Sequence, residues 1–146
     1  MKRVVATGTF DIVHPGHLHY LNASKALGDE LWVIVARDQN VLPYKPRPIV
    51  PEDQRLEMVR GLKPVDHAVL GDQRDRFSPI REIRPDIITI GFNQRFTTEA
   101  LEADLKAAGL EIPVVRIDQY AGCELCSSRH IIDSALEKRG YPSGVE

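Results

Sequence analysis

Short apolar, β-branched runs alternate with amphipathic stretches along the whole chain, and that alternation constrains the fold more than any other feature. Lys2 to Thr7, Leu31 to Ala36, Val65 to Leu70, Asp86 to Ile90 and Ile112 to Ile117 read as five strands. Leu31 to Ala36 is continuously apolar, as in a strand buried on both faces. Between the strands come helical patterns. Pro15 suits a first helical position, where its missing N–H costs nothing, and that helix is expected to run to about Leu27 with Gly28 as its stop. Pro51-Glu52-Asp53 opens a second helix, with Leu56, Val59 and Leu62 as its inner stripe. Ser78 to Ile83 forms one or two turns. Thr97 or Thr98 caps a helix carrying Leu101, Leu105 and Ala108, with Gly109 after it. Ser127 caps a final helix with Ile131, Ile132, Ala135 and Leu136 on one side. Residues 38–50 hold Pro43, Pro46 and Pro48 and read as a loop.

Strand–helix alternation of this kind requires a parallel sheet with helices on both faces. The expected fold is α/β: a single doubly wound, Rossmann-like domain with a five-stranded parallel sheet. Its ligands are expected beyond the carboxyl ends of the strands. The chain has 146 residues, and at about 150 residues per domain it makes one domain, 1–146, with the last few residues a flexible tail.

Lysines and arginines number 19 and acidic residues 21, a balance of −2. No bulk positive field exists to hold nucleic acid or an anionic membrane, so neither is an expected partner. The longest uninterrupted apolar run, Leu31 to Ala36, is six residues, against the ~20 a spanning helix needs. The start of the chain lacks the apolar length of a signal peptide, and the expected location is the cytoplasm. Cys123 and Cys126 are the two cysteines. They rule out a disulfide framework and a four-cysteine zinc site within one chain. They could be half of an intersubunit metal site, a redox-sensitive pair, or two reduced thiols, the reading that best suits an intracellular chain.

The familiar glycine-rich phosphate loops are absent. In their place, Gly8-Thr9-Phe10-Asp11-Ile12-Val13-His14-Pro15-Gly16-His17 follows the first strand. This is a strand end, a short loop, and a helix whose first turn carries two imidazoles. A helix N-terminus favours anions and disfavours protonated imidazoles. Gly16 leaves no side chain between the rings, so a ligand can approach the backbone. Such a site suits a charge-dense oxyanion. His19, His67 and His130 are read as ordinary surface or satisfied residues. Trp32 falls in a central strand pattern and is expected in the core. Phe92, Phe96 and Tyr120 are expected to cluster at the strand ends, where a flat ring could lie.

The G-T-F-D-x-x-H-x-G-H segment resembles the signature of the cytidylyltransferase-like nucleotidyltransferases. Several further segments are similar to archaeal-type FAD synthases within that family. They are Val35-Ala36-Arg37-Asp38, Pro51 to Arg55, Leu62 to Asp66, Pro85 to Ile88, Gly91 to Gln94 and Cys123 to Ser128. The resemblance implies transfer of AMP from ATP to FMN, giving FAD and pyrophosphate, with a divalent metal ion such as magnesium carried on the triphosphate. It implies that Thr9, Phe10, His14, Pro15, Gly16 and His17 line the triphosphate site, with His14 and His17 stabilising the transition state at the α-phosphate. Asn93 and Tyr120 correspond to nucleotide contacts, and Ser127 and Ser128 to the receivers of the outer phosphates. Asp11 corresponds to a residue that positions the loop or a metal-bound water, and Arg55 to a basic residue near the site. Lys45 and Arg47 are either phosphate contacts or solvated charges.

Two departures stand out: Asn93 replaces a common aspartate, and Arg129-His130 replace Thr-Lys, so that Arg129 would supply the neutralising charge. Relatives are often homodimers. CTP-dependent glycerol-3-phosphate cytidylyltransferase is the alternative activity, and a non-catalytic nucleotide-binding or redox-sensing protein the remoter one.

Overall fold

The computed structural model describes residues 1–140. Its elements are β1 (Arg3–Gly8), α1 (Pro15–Lys25), β2 (Glu30–Val35), α2 (Asp38–Val41), α3 (Glu52–Arg60), β3 (His67–Leu70), α4 (Ser78–Ile83), β4 (Ile87–Ile90), α5 (Thr98–Ala107), β5 (Val114–Arg116) and α6 (Ser128–Arg139). The expected C-terminal tail lies outside the described residues.

The sheet order is β3-β2-β1-β4-β5, and every pair is parallel. The chain builds outward from β1 in one direction, then returns to build outward in the other. The reversal leaves a crevice at the carboxyl end of β1, beside β4, and this is where the ligand of an open α/β sheet belongs. The doubly wound, five-stranded reading therefore holds.

β1 serves two cores. Val4 and Ala6 pack with Leu31, Val33, Val35, Leu21 and Val59 on one face, and Val5 packs with Ile34, Ile88, Leu101 and Leu105 on the other. Each such side chain contributes ~1.5–3 kcal/mol when fully buried. A buried polar network fixes α1 to the switch point. The Tyr20 hydroxyl donates to the Thr89 carbonyl at 2.8 Å and accepts the Thr7 N–H at 3.1 Å. Burial pushes that phenol up to about 12. Ser24 and Thr89 hydroxyls meet at 2.8 Å.

Several local expectations are corrected. α1 ends at Lys25, and Gly28 is not its left-handed stop; a Cβ there would stand 2.8 Å from the Lys2 carbonyl oxygen. Gly28 is required by close backbone approach. The stretch 38–50 is not loop throughout, because it opens with the turn α2, whose Asp38 N–H is taken by Glu52 at 2.9 Å. α6 forms with Ser127 as its cap, but none of its residues is buried, and Leu136 is 56% exposed. The apolar side read for this helix does not rest on the sheet. Trp32 packs at the edge of the α4–α5 core, its ring 4.3 Å from His67, in a strand position paired with Val5.

Candidate active site

The site begins where β1 ends. Phe10 has a φ of 55°, the left-handed region that a bulky residue rarely occupies. That turn sends its ring inward, 2% exposed, against His17 at 5.2 Å and Tyr20 at 6.5 Å. The Phe10 side chain therefore supports the histidine from below and does not line the opening; only its backbone can face a phosphate.

His14 and His17 cap one another. His14 is the N-cap of α1, and its Nδ1 accepts the Gly16 N–H at 3.1 Å. His17 Nδ1 accepts the His14 N–H at 3.2 Å. The reciprocal bond satisfies two orphan donors of the first turn, as a capping box does. It also sets the tautomers. A nitrogen that accepts a backbone N–H carries no proton, so in the neutral rings the hydrogen is on Nε2, a donor left for a ligand oxygen. The rings stack at 3.9 Å. Burial lowers both, and His17, further depressed by His14 and Lys45, falls to about 3. Desolvation is the leading cause for both rings and favours their neutral forms. Gly16 is sterically required: a Cβ there would stand 2.9 Å from the His14 ring and 3.3 Å from the Cys126 carbonyl. That second distance brings the loop before α6 against the start of α1. Pro15 occupies the first turn of α1 as expected.

Beneath this turn lies a residue whose burial the sequence conceals. Arg55 is 0% exposed on α3. Its guanidinium donates to the Thr9 carbonyl at 2.7 Å, Ala36 at 2.8 Å, Val50 at 2.9 Å and the Asp38 carboxylate at 2.6 Å. It is committed to holding the ends of β1 and β2 and is unavailable to a phosphate. Asp11 is likewise engaged: its two oxygens accept the N–H groups of Ile49 at 3.0 Å and Val50 at 2.8 Å. Both residues act as loop supports. Lys45 lies close enough to depress His17. Arg47 is exposed, with no carboxylate in ion-pair range among the described residues.

At the start of α6, Ser127 Oγ accepts the His130 N–H at 3.0 Å. Ser128 Oγ donates to the Ile12 carbonyl at 3.2 Å, tying the helix to the loop after Asp11. Arg129 is exposed in the first turn. Cys123 and Cys126 are joined as a disulfide, which corrects the reading of two separate reduced thiols. Tyr120 is stacked on His19 at 5.2 Å, and His19 meets Asp118 at 3.2 Å. Tyr120 therefore does not join Phe92 and Phe96, and Phe92 is 46% exposed and does not line the cleft that Phe96 lines. The expected aromatic cluster does not form.

A cleft of about 620 Å³ opens on the other side of the β1 end. Thr9 and Asn93 line it, with Phe96, Tyr44, Lys45 and Arg95. Two residues that sequence reasoning missed shape its wall. Arg116, at the end of β5, donates to the carbonyls of Gly91 at 2.7 Å, Phe92 at 3.1 Å, Gln94 at 3.2 Å and Phe96. Gln94 Oε1 accepts the Gly91 N–H at 2.7 Å, while its amide nitrogen donates to the Thr7 carbonyl at 3.3 Å. The loop after β4 is thereby pinned to β5 and to β1. The one available signal was an arginine closing an otherwise apolar strand.

No group of three or more His, Cys, Asp or Glu side chains among the described residues is placed to hold a metal ion. No described helix is long and apolar enough to cross a membrane.

A paired-imidazole helix start at the switch point, brought against a second helix start, is an arrangement chemically suited to an oxyanion-rich ligand. The cytidylyltransferase-like family model matches residues 5–134, and the chain belongs to that family of nucleotidyltransferases. Within it, the chain is 64% identical over 142 residues to FAD synthase of Methanoculleus marisnigri, covering 97% of this chain and 94% of that protein. FAD synthase of Methanocorpusculum labreanum is 62% identical over 139 residues, 95% and 99% of the two chains. The crystal structure of the lipopolysaccharide core biosynthesis protein from Thermoplasma volcanium superposes with a TM-score of 0.79 at 46% identity, over 82% of this chain and 98% of that one.

Proposed function

We propose that this chain is an FMN adenylyltransferase: it transfers AMP from ATP to FMN, releasing pyrophosphate and forming FAD. The observation that carries the reading is identity above 60% to FAD synthases over nearly the full length of both chains. The geometry of the site supports the chemistry. A phosphate oxygen of FMN attacks the α-phosphorus in line; the new P–O bond forms as the α–β bridge bond breaks, and the electron pair leaves on pyrophosphate. Catalysis of such a transfer consists of positioning and charge stabilisation. The Nε2–H groups of His14 and His17 donate to the α-phosphate oxygens as charge gathers there. Ser127, Ser128 and Arg129 receive the outer phosphates at the start of α6.

A divalent ion such as magnesium would be held chiefly by the triphosphate's own oxygens, the hard donors it prefers, because both Asp11 oxygens already accept backbone N–H groups. That ion supplies charge neutralisation. We propose the cytoplasm as the compartment of this reaction. The exposed side of α6 suits pairing of two copies. The test supplies FMN and glycerol 3-phosphate, each with ATP and with CTP, and separates the products by chromatography. FAD from ATP and FMN is expected. CDP-glycerol as the dominant product would overturn the FMN reading.

A further inference from the structure

The proposed reaction leaves open how FMN is recognised, and the cleft beside β1 carries an answer that rests on that reading. In-line transfer places the nucleophile opposite the leaving pyrophosphate. If pyrophosphate departs toward Ser127 and Ser128, the attacking phosphate must come from the far side of the β1 end, and there the 620 Å³ cleft opens. Its size lies within the range of small-molecule sites. Lys45 lines it and also influences His17, so one ammonium spans the cleft and the paired imidazoles.

The outer part of the cleft has a different character. The Arg95 guanidinium lies over the Tyr44 ring, 3.4 Å from its centroid, and 4.7 Å from the Phe96 ring. Tyr44 is 59% exposed. Among the described residues Arg95 has no carboxylate in ion-pair range and no side-chain hydrogen bond, whereas Arg76, beside Phe96, is paired with Asp104 at 2.6 Å. Tyr44 and Arg95 come from two separate loops, and each loop is braced. Asp11 holds the first through Ile49 and Val50; Arg116 holds the second through four carbonyls. An exposed aromatic ring with a guanidinium stacked on it, carried on braced loops and with no carboxylate in ion-pair range, forms a flat platform on which a further π system can stack.

We infer that this cleft is the acceptor subsite, and that the isoalloxazine ring of FMN stacks on the platform made by Tyr44 and Arg95 while Lys45 takes its phosphate. The pair selects a flavin over a small polyol phosphate. Glycerol 3-phosphate could engage Lys45 but offers no face to Tyr44.

The test titrates FMN against the native protein and against Tyr44→Ala, Arg95→Ala and Tyr44→Phe, reading the quenching of flavin fluorescence, with KM for FMN and ATP measured in parallel. Loss of Tyr44 or Arg95 is expected to weaken FMN binding about tenfold, the scale of one stacking or cation–π contact. KM for ATP stays unchanged, and Tyr44→Phe retains binding. Undiminished FMN affinity in both alanine variants overturns the subsite, as does equal weakening toward ATP. Failure of the native protein to make FAD overturns the proposed activity, but the fluorescence titration still decides the subsite: quenching lost in Tyr44→Ala supports it, and no quenching by the native protein overturns it.

Discussion

His14 and His17 brace one helix start: the backbone N–H of His14 donates to the ring of His17, 3.2 Å away, the His14 ring accepts the N–H of Gly16 in the first turn, and the two rings stack. Removing one ring therefore removes an oxyanion donor and also loosens its neighbour. His14→Ala or His17→Ala is expected to lower turnover ~10²-fold or more, measured as pyrophosphate release at saturating substrates. Full turnover in either variant would remove this motif from the chemistry.

The same burial makes stability depend on pH. His17 titrates near 3 in the folded chain against 6.5 ordinarily, so the unfolded chain binds more protons between those values. Its contribution is fully present above pH 6.5 and is lost as pH falls toward 3. Urea unfolding across that window is expected to show a shallower decline in His17→Gln than in the native protein. Parallel slopes would contradict the depressed pKa.

Arg55 is buried on carbonyls of three segments and on Asp38. Arg55→Leu leaves those acceptors and a partly buried carboxylate unpaired, at a cost of about 3 kcal/mol. The denaturation midpoint should fall accordingly, and activity with it, since the β1 end and the 38–50 segment share this anchor. A variant of native stability would show that the acceptors find water instead.

Arg116→Ala should release the 91–96 loop. Because that loop carries Arg95 and Phe96 into the cleft, KM for FMN is expected to rise more than KM for ATP. Equal changes in the two would place the loop's role elsewhere.

Cys126 borders Gly16 and precedes the Ser127 cap. Alkylation after reduction is expected to abolish activity, with ATP protecting, because the added group occupies the phosphate end of the site. The double variant Cys123→Ser, Cys126→Ser is expected to remain active, which assigns the sulfurs no chemical step. Alkylation of the reduced wild-type protein without effect on activity would break the proximity argument.

The strand order and the paired histidines were legible because each is a local pattern: apolar runs of strand length, and a Pro-Gly-framed helix start. Ser127 as a cap and Gly109 after α5 were legible for the same reason. Arg55 was not. An arginine one position before Leu56 on a short helix looks like solvated charge, and its burial depends on carbonyls contributed by three other segments. Phe92, Phe96 and Tyr120 share only a loop position in the sequence, whereas Tyr120 stacks on His19 of α1, a contact 101 residues away that no local pattern encodes. Tyr44, which meets Arg95, lay hidden among prolines. The exposed side of α6 shows the opposite failure: a correct apolar pattern, without the surface it was presumed to cover.

β1 and α6 differ in how firmly they are held. β1 is the central strand, with side chains sealed in both cores, so its amides should exchange with solvent only through global unfolding. α6 buries none of its residues, and its described hydrogen bonds to the rest of the chain run from Ser128 to Ile12. Its amides should exchange through cheap local opening. The two halves of the phosphate site thus belong to opposite ends of the protein's stability spectrum. A nucleotide bridging them, as the proposed site requires, would bind a fixed anvil on one side and order a loose jaw on the other, so that part of its binding free energy would go into quieting α6.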